Sequence, residues 1–99
     1  MDEVSARNLI AAVRSRVKLS DVVSDFVELV RDGPLLRGVC PFCKNENLGD
    51  DHKFQFTVDE VPGTYICHAC YEKGDVFRFI ECFKKLEFFE AVIYLDSKY

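Results

Sequence analysis

The chain has 99 residues, 48% hydrophobic and 13% aromatic, which predicts one folded domain over residues 1–99 and excludes a disordered tail. Its formal charge of −4 argues against strong nonspecific binding to nucleic acid, which depends on releasing counterions from phosphates, and leaves only a local patch for that role. The acidic N-terminus and the absence of a long apolar run exclude a secretory signal and a membrane span, so we expect a cytoplasmic protein with reduced cysteines.

Two helices are predicted in residues 1–26. Four apolar residues recur at helical spacing within residues 5–17: Ala6, Ile10, Val13 and Val17. This pattern is typical of an amphipathic helix. Ser20, followed by Asp21, predicts the N-cap of a second, short helix that ends near Phe26.

An antiparallel sheet is predicted in residues 27–72. Residues 26–39 alternate around Asp32-Gly33-Pro34, which indicates two strands joined by a turn. Residues 53–58 also alternate between apolar and polar side chains, and Pro62-Gly63 then turns the chain into residues 64–67. A second hairpin is therefore expected before the last pair of closely spaced cysteines.

Residues 73–99 have the periodicity of helices. Asp75 is a predicted N-cap, and Phe88, Val92 and Leu95 share one face of the last helix. Five phenylalanines on these helices are expected to pack in the core: Phe77, Phe79, Phe83, Phe88 and Phe89. Cys82 lies among them, and we interpret it as a small core residue rather than a metal ligand.

The remaining four cysteines form two C-x2-C pairs separated by 23 residues. They are Cys40, Cys43, Cys67 and Cys70. Each pair aims two sulfurs at one point, and together the pairs complete a closed tetrahedron, which predicts one structural zinc ion and no catalytic water. A thioredoxin-like redox centre is disfavoured because no strand–helix–strand pattern surrounds either pair, and disulfides are disfavoured by the compartment.

Other residues near the cysteines have two interpretations each. His52 or His68 could replace a thiolate, and His68 could instead contact a base. Three aromatic residues of the strands could stack on bases or form the buried face of the sheet: Phe54, Phe56 and Tyr65. The nearby basic residues are Arg31, Arg37, Lys44 and Lys53, and the acidic residues Asp50, Asp51, Asp59 and Glu60 oppose a basic patch.

The motifs resemble the CHC2 zinc finger, the N-terminal zinc-binding domain of bacterial DnaG-type DNA primases. The resemblance extends from about Leu19 to Leu95 and is carried by five stretches in the same order: "LSDVVSDFVEL", "GVCPFC", "KFQFTV", "YICHAC" with "KGDVFRFI", and "LEFFEAVIYL". It implies an α+β fold with a zinc ribbon on a small antiparallel sheet flanked by helices at both ends. It also implies that the domain binds single-stranded DNA template and supports primer initiation by a separate polymerase domain.

By position, the resemblance makes Cys40, Cys43, Cys67 and Cys70 the zinc ligands. It places Arg37, Lys53, Phe54, Phe56 and Tyr65 on the sheet face that would meet template, with Arg37 and Lys53 on phosphates and Phe54 or Tyr65 on bases. The chain departs from the family pattern at Cys43, where the family usually has histidine, and in residues 44–56, which are longer and more acidic than the usual connection.

Three functions are compared. The first is a noncatalytic primase module that binds single-stranded DNA and acts with a polymerase domain in cis or in trans. The alternative is an acidic, stand-alone zinc ribbon that binds a protein through exposed phenylalanines such as Phe88 or Phe89. An enzyme is the weakest interpretation, because the sequence has no recognisable pair of nucleophile and base and no open metal site.

Overall fold

The computed structural model describes residues 3–42 and 55–99. Its elements in chain order are α1 (Glu3–Arg16), α2 (Leu19–Ser24), β1 (Val30–Asp32), β2 (Leu35–Gly38), β3 (Phe56–Asp59), β4 (Thr64–Cys67), β5 (Lys73–Gly74), α3 (Val76–Lys84) and α4 (Phe88–Lys98). The predicted α+β fold is confirmed, because a small antiparallel sheet lies between helices from both ends of the chain. The predictions for Cys43, His52, Lys53 and Phe54 fall outside the described residues.

The five strands form a simple meander with the spatial order β1-β2-β3-β4-β5, and each strand is antiparallel to its neighbours. Both tight turns predicted from the sequence are present. Gly33 and Gly63 adopt φ angles of 62° and 70°, a region that glycine enters without steric cost. The short strand β5 was not predicted, and it extends the sheet to Gly74.

The strand register divides the sheet into an inner and an outer face, because residues directly opposite each other on neighbouring strands share a face. Leu36, Val58 and Tyr65 are cross-strand partners on the inner face. One row of partners crosses all five strands on the outer face, and we call it the outer row: Val30, Arg37, Thr57, Ile66 and Lys73.

The inner face is covered by helix α3. The ring of Phe79 lies 6.4 Å from that of Phe56 and 5.7 Å from that of Tyr65, between ring centroids. Phe56 is 0% exposed and Tyr65 is 2% exposed, so neither ring is presented to a nucleic acid strand. Their predicted contact with template is therefore wrong, and the alternative interpretation as the buried face of the sheet is confirmed.

The first helices differ slightly from the prediction. Helix α1 buries Val13, and Val17 follows it into the core. Helix α2 begins at Leu19 with Lys18 as an N-cap that makes no side-chain hydrogen bond, so the predicted Ser20 cap is wrong. Ser20 is instead a buried residue of the first turn of α2. The helix ends at Ser24, and a turn carries the chain through Phe26.

The C-terminal helices agree more closely with the sequence. The Asp75 carboxylate accepts a hydrogen bond from the backbone N–H of Arg78 at 3.0 Å, as expected of an N-cap. Phe77, Phe79, Val92 and Leu95 are buried, whereas Phe88 is 40% exposed although its ring packs on Phe77. Among the helices of residues 3–42 and 55–99, none has the length and apolar character needed to cross a membrane.

Candidate metal centre

The sheet brings three cysteines from distant parts of the chain together at one end. Cys40 lies two residues beyond β2, Cys67 is the last residue of β4, and Cys70 follows in the next turn. Their three sulfur atoms all lie within 4.8 Å of one another, and the Sγ atoms of Cys40 and Cys70 are 3.8 Å apart. Cys43, the predicted fourth member, lies outside the described residues.

Backbone amides surround these sulfurs. The N–H of Phe42 donates to Cys40 Sγ at 3.3 Å, and the N–H groups of Ala69 and Cys70 each donate to Cys67 Sγ at 3.4 Å. Such contacts stabilise a thiolate, because hydrogen bonds to the charged form of a group favour that form. The turns therefore prepare the sulfurs for a cation rather than for a disulfide.

The sulfur positions fit a zinc ion. A tetrahedral site with Zn–S bonds of about 2.3 Å places its sulfurs roughly 3.8 Å apart, which matches the distance between Cys40 and Cys70. Cys40 and Cys67 are buried and Cys70 is exposed, so the group lies at the protein surface with two of its three cysteines in the core. A donor set made of cysteines is typical of structural zinc.

The turn after Cys67 ends in an unusual conformation. Tyr71 has a φ of 64°, and its N–H donates to the carbonyl of Cys67 at 2.8 Å. The left-handed region costs a residue with a side chain roughly 1–2 kcal/mol relative to the right-handed region. The Tyr71 side chain is 72% exposed. Sequence reasoning did not single out this residue, because the C-x2-C spacing alone does not reveal the φ of the residue that follows it.

Glu72 connects the metal end of the sheet with helix α3. Its carbonyl accepts from the N–H of Cys67 at 2.9 Å. Its carboxylate oxygen Oε1 accepts from Tyr65 Oη at 3.2 Å, Arg78 Nε at 3.0 Å and Cys82 Sγ at 3.4 Å. We call these four residues the Glu72 cluster.

The Glu72 cluster holds its ionisable groups in definite states. Burial by itself would raise the pKa of Glu72, but the hydrogen bonds from Arg78 and Cys82 outweigh burial and hold this pKa below its ordinary value. Burial, followed by the hydrogen bond to Glu72, raises the pKa of the Cys82 thiol. Cys82 is thus a half-buried neutral thiol bound to Glu72, and it does not belong to the group of three sulfurs.

His68 points to the outer face rather than to the sulfurs. Its Nε2 lies 3.4 Å from Thr57 Oγ1, and its backbone N–H donates to the carbonyl of Gln55 at 2.9 Å. The imidazole is exposed to solvent. Within the part of the chain that the structure describes, His68 is therefore outside the candidate ligand group, which answers for this residue the question that the sequence left open.

The outer row contains two basic residues, Arg37 and Lys73. The Arg37 side chain is 42% exposed, and its Nε forms an ion pair with the carboxylate of Asp32. Lys73 is exposed and has no ion pair with any residue in 3–42 or 55–99. The adjacent row on the same face carries Asp32 and Asp59, so this surface is mixed in charge.

Two DNA primases are similar to this chain in sequence. A DNA primase of Mycolicibacterium smegmatis is 40% identical over 90 residues, and one of Helicobacter pylori is 30% identical over 83 residues. These matches cover 90% and 84% of this chain. The chain spans only 13% and 14% of those two relatives.

A solved structure gives the same result in three dimensions. The crystal structure of the Aquifex aeolicus primase, with its zinc-binding and RNA polymerase domains, matches with a TM-score of 0.80 and 25% identity. The match covers 92% of this chain and 21% of the Aquifex chain. The family model described as the CHC2 zinc finger matches residues 5–99. The cofactor of this family is zinc, and Cys40, Cys67 and Cys70 form a group that could hold one ion. This chain therefore belongs to the CHC2 zinc finger family, the zinc-binding domain of DNA primases.

Proposed function

We propose that this domain binds single-stranded DNA template and supports primer initiation by a separate RNA-polymerising domain, in the bacterial cytoplasm. The polymerising chemistry belongs to that other domain, since the family matched here is a zinc finger and the Aquifex relative carries an RNA polymerase domain beside its zinc-binding domain. The partner domain acts in cis or in trans. The role of this domain is to hold template, not to transfer nucleotides.

The metal in this proposal is structural. Cys40, Cys43, Cys67 and Cys70 are the four zinc ligands, and bound zinc supplies a fixed point that ties the end of β2 to the turn after β4. A closed tetrahedron of four thiolates has no position for water, so the metal activates no nucleophile. The role of the metal is to maintain the geometry of the sheet.

The outer row is the observation that carries the proposal. Arg37 and Lys73 lie on one face of the sheet, on strands that flank Thr57 and Ile66, and helix α3 packs against the other face. A surface that binds single strands combines cations for phosphates with aromatic side chains for bases, and the outer row supplies the cations. Arg37 and Lys73 would contact phosphates. Lys53 and Phe54 lie outside the described residues, and both remain proposed contacts with the template.

The alternative, a zinc ribbon that only binds protein, is not favoured. It required an acidic sheet face next to exposed phenylalanines. Phe88 is 40% exposed but packs on Phe77, Phe89 is only partly exposed, and the outer row itself carries cations and no acid. The acidic residues of the face lie in the neighbouring row, where Asp32 pairs with Arg37.

The test is a salt titration of binding between the zinc-loaded protein and labelled single-stranded DNA. Each phosphate contact on a single strand contributes about 0.7 to the slope of log K against log salt. Replacing Arg37 and Lys73 together by alanine should weaken binding and reduce this slope by roughly 1.4. A matched control, Arg7→Ala with Lys98→Ala, removes the same charge from exposed positions on α1 and α4 and should leave the slope unchanged. An unaltered slope in the Arg37 and Lys73 variant would remove the outer row from the proposal.

A further inference from the structure

Tyr71 combines features that ordinary packing does not explain. Its φ of 64° is a conformation that glycine adopts far more readily than tyrosine. Its side chain is 72% exposed, and its hydroxyl has no hydrogen-bond partner among the described residues. The ring therefore gains little in the folded domain to offset the unfavourable backbone conformation. A bulky residue held in such a conformation at the surface indicates a functional constraint.

The surroundings of Tyr71 identify the kind of ligand. Between His68 and Lys73, the exposed side chains include an imidazole, a phenol ring and an ammonium group. The one carboxylate in this stretch, Glu72, turns inward to Tyr65, Arg78 and Cys82. An exposed aromatic ring near a lysine, without a free carboxylate, is a combination that binds single-stranded nucleic acid by base stacking and phosphate contact.

A protein ligand fits this segment less well. In the described chain, Val39 and Tyr71 are the exposed large apolar side chains next to the candidate zinc ligands. A stable protein interface buries about 800 Å² on each partner and needs a larger apolar centre than two side chains. A single base needs only one flat ring.

We propose that Tyr71 is a base-stacking residue, and that the turn of the candidate metal centre itself contacts single-stranded DNA. The left-handed conformation directs the ring away from the core, and zinc bound to Cys67 and Cys70 fixes the turn that carries it. This inference rests on the proposed binding of single-stranded DNA and adds a contact outside the outer row.

Three substitutions of Tyr71 separate stacking from bulk and from backbone strain. Tyr71→Phe keeps the ring and should retain affinity for oligothymidylate within about twofold. Tyr71→Leu keeps an apolar side chain but has no aromatic face, and Tyr71→Gly removes the side chain. Both should weaken binding about 5- to 150-fold, the range expected for the loss of one stacked base. Tyr71→Gly should also leave the melting temperature unchanged or raise it, since glycine suits this φ.

For Tyr71→Gly, affinity should fall while the melting temperature stays unchanged or rises. Weaker binding by a variant that is at least as stable as the wild type cannot come from unfolding. Val61→Ala, at the distant turn between β3 and β4, is the control for an exposed apolar side chain and should bind normally. If the wild-type domain binds oligothymidylate and Tyr71→Leu and Tyr71→Gly bind equally well, the assignment of Tyr71 is overturned alone. If the wild-type domain does not bind at either low or near-physiological salt, both the proposed function and this inference fail.

Discussion

The aromatic core and the metal end of this domain are held together in different ways. In the core, Phe79 is surrounded by the rings of Phe26, Phe42, Phe56, Tyr65 and Phe83, and its own ring is fully buried. At the metal end, the turns around Cys40 and Cys67 also direct Phe42 and Ala69 towards the core. In addition, N–H groups of the backbone point at sulfur there.

The difference shows why a chain of 99 residues needs both devices. The hydrophobic effect that stabilises a core is non-directional and depends on the apolar area buried, whereas a metal site fixes its ligand atoms to within tenths of an ångström. The proposed contacts with DNA, Tyr71 and Lys73, lie close to the metal end. We therefore expect the core and the metal both to contribute to stability, and the metal to determine the shape of the binding surface.

Removing the metal has the largest expected effect. The free energy of binding in structural zinc sites is on the order of 10 kcal/mol, as large as the whole stability of a small domain. Chelation, or the substitution Cys67→Ser, should abolish protection of backbone amides from hydrogen exchange around Cys40 and Cys67. The circular dichroism of the helices should persist in part.

The control for this prediction is Cys82→Ser. Cys82 is outside the group of three sulfurs, so this variant should still bind one zinc per chain. Amides that remain protected from exchange around Cys67 after complete removal of zinc would show that apolar packing alone orders the metal end. The proposed difference between the two regions would then be wrong.

Truncating the core should have the next largest effect. It should lower the free energy of unfolding while leaving zinc binding intact. Phe79→Ala removes the ring that contacts both strands of the inner face, and such substitutions cost about 3–5 kcal/mol. Urea unfolding of the zinc-loaded protein should show this loss, while zinc stoichiometry in metal-replete buffer stays at one. Phe88→Ala, at a position that is 40% exposed, should cost much less. Loss of zinc by the Phe79 variant would mean that the core positions the sulfurs.

The elements predicted well from sequence are those that are determined locally. The turns at Gly33 and Gly63 and the Asp75 cap each depend on the backbone preferences of one or two residues. The cysteine spacing also indicated the metal centre, because a C-x2-C turn places two sulfurs together whatever the rest of the chain does.

The errors come from tertiary contacts. Ser20 has the side chain of an N-cap, but it is buried in the first turn, and the helix begins one residue earlier. The alternation of Phe56 predicted a strand, yet period-two alternation does not reveal which face a helix will cover. Strand β5 has only two residues, so pairing with β4 rather than local preference creates it. The left-handed φ of Tyr71 was not predicted either, because the local preference of tyrosine does not favour it.

The smallest predicted effect concerns the link between the two regions. Glu72 accepts three hydrogen bonds on one carboxylate oxygen and also binds the N–H of Cys67, so it joins the metal end to helix α3. Glu72→Gln keeps an oxygen acceptor but removes the charge, and bonds to a charged group are worth roughly 1.5–3 kcal/mol against about 1 for neutral ones. We expect a loss of about 1 kcal/mol in the free energy of unfolding.

The informative measurement on this variant is the coupling between the two regions. In a double-mutant cycle with Phe79→Ala, an interaction free energy above about 0.5 kcal/mol would show that Glu72 is coupled energetically to the aromatic core. Glu28→Gln, an exposed carboxylate before β1, is the matched control and should be additive with Phe79→Ala. Additivity of Glu72→Gln with Phe79→Ala would instead mean that the two regions are joined only through the backbone of the strands. In that case zinc alone would set the geometry of Tyr71 and Lys73.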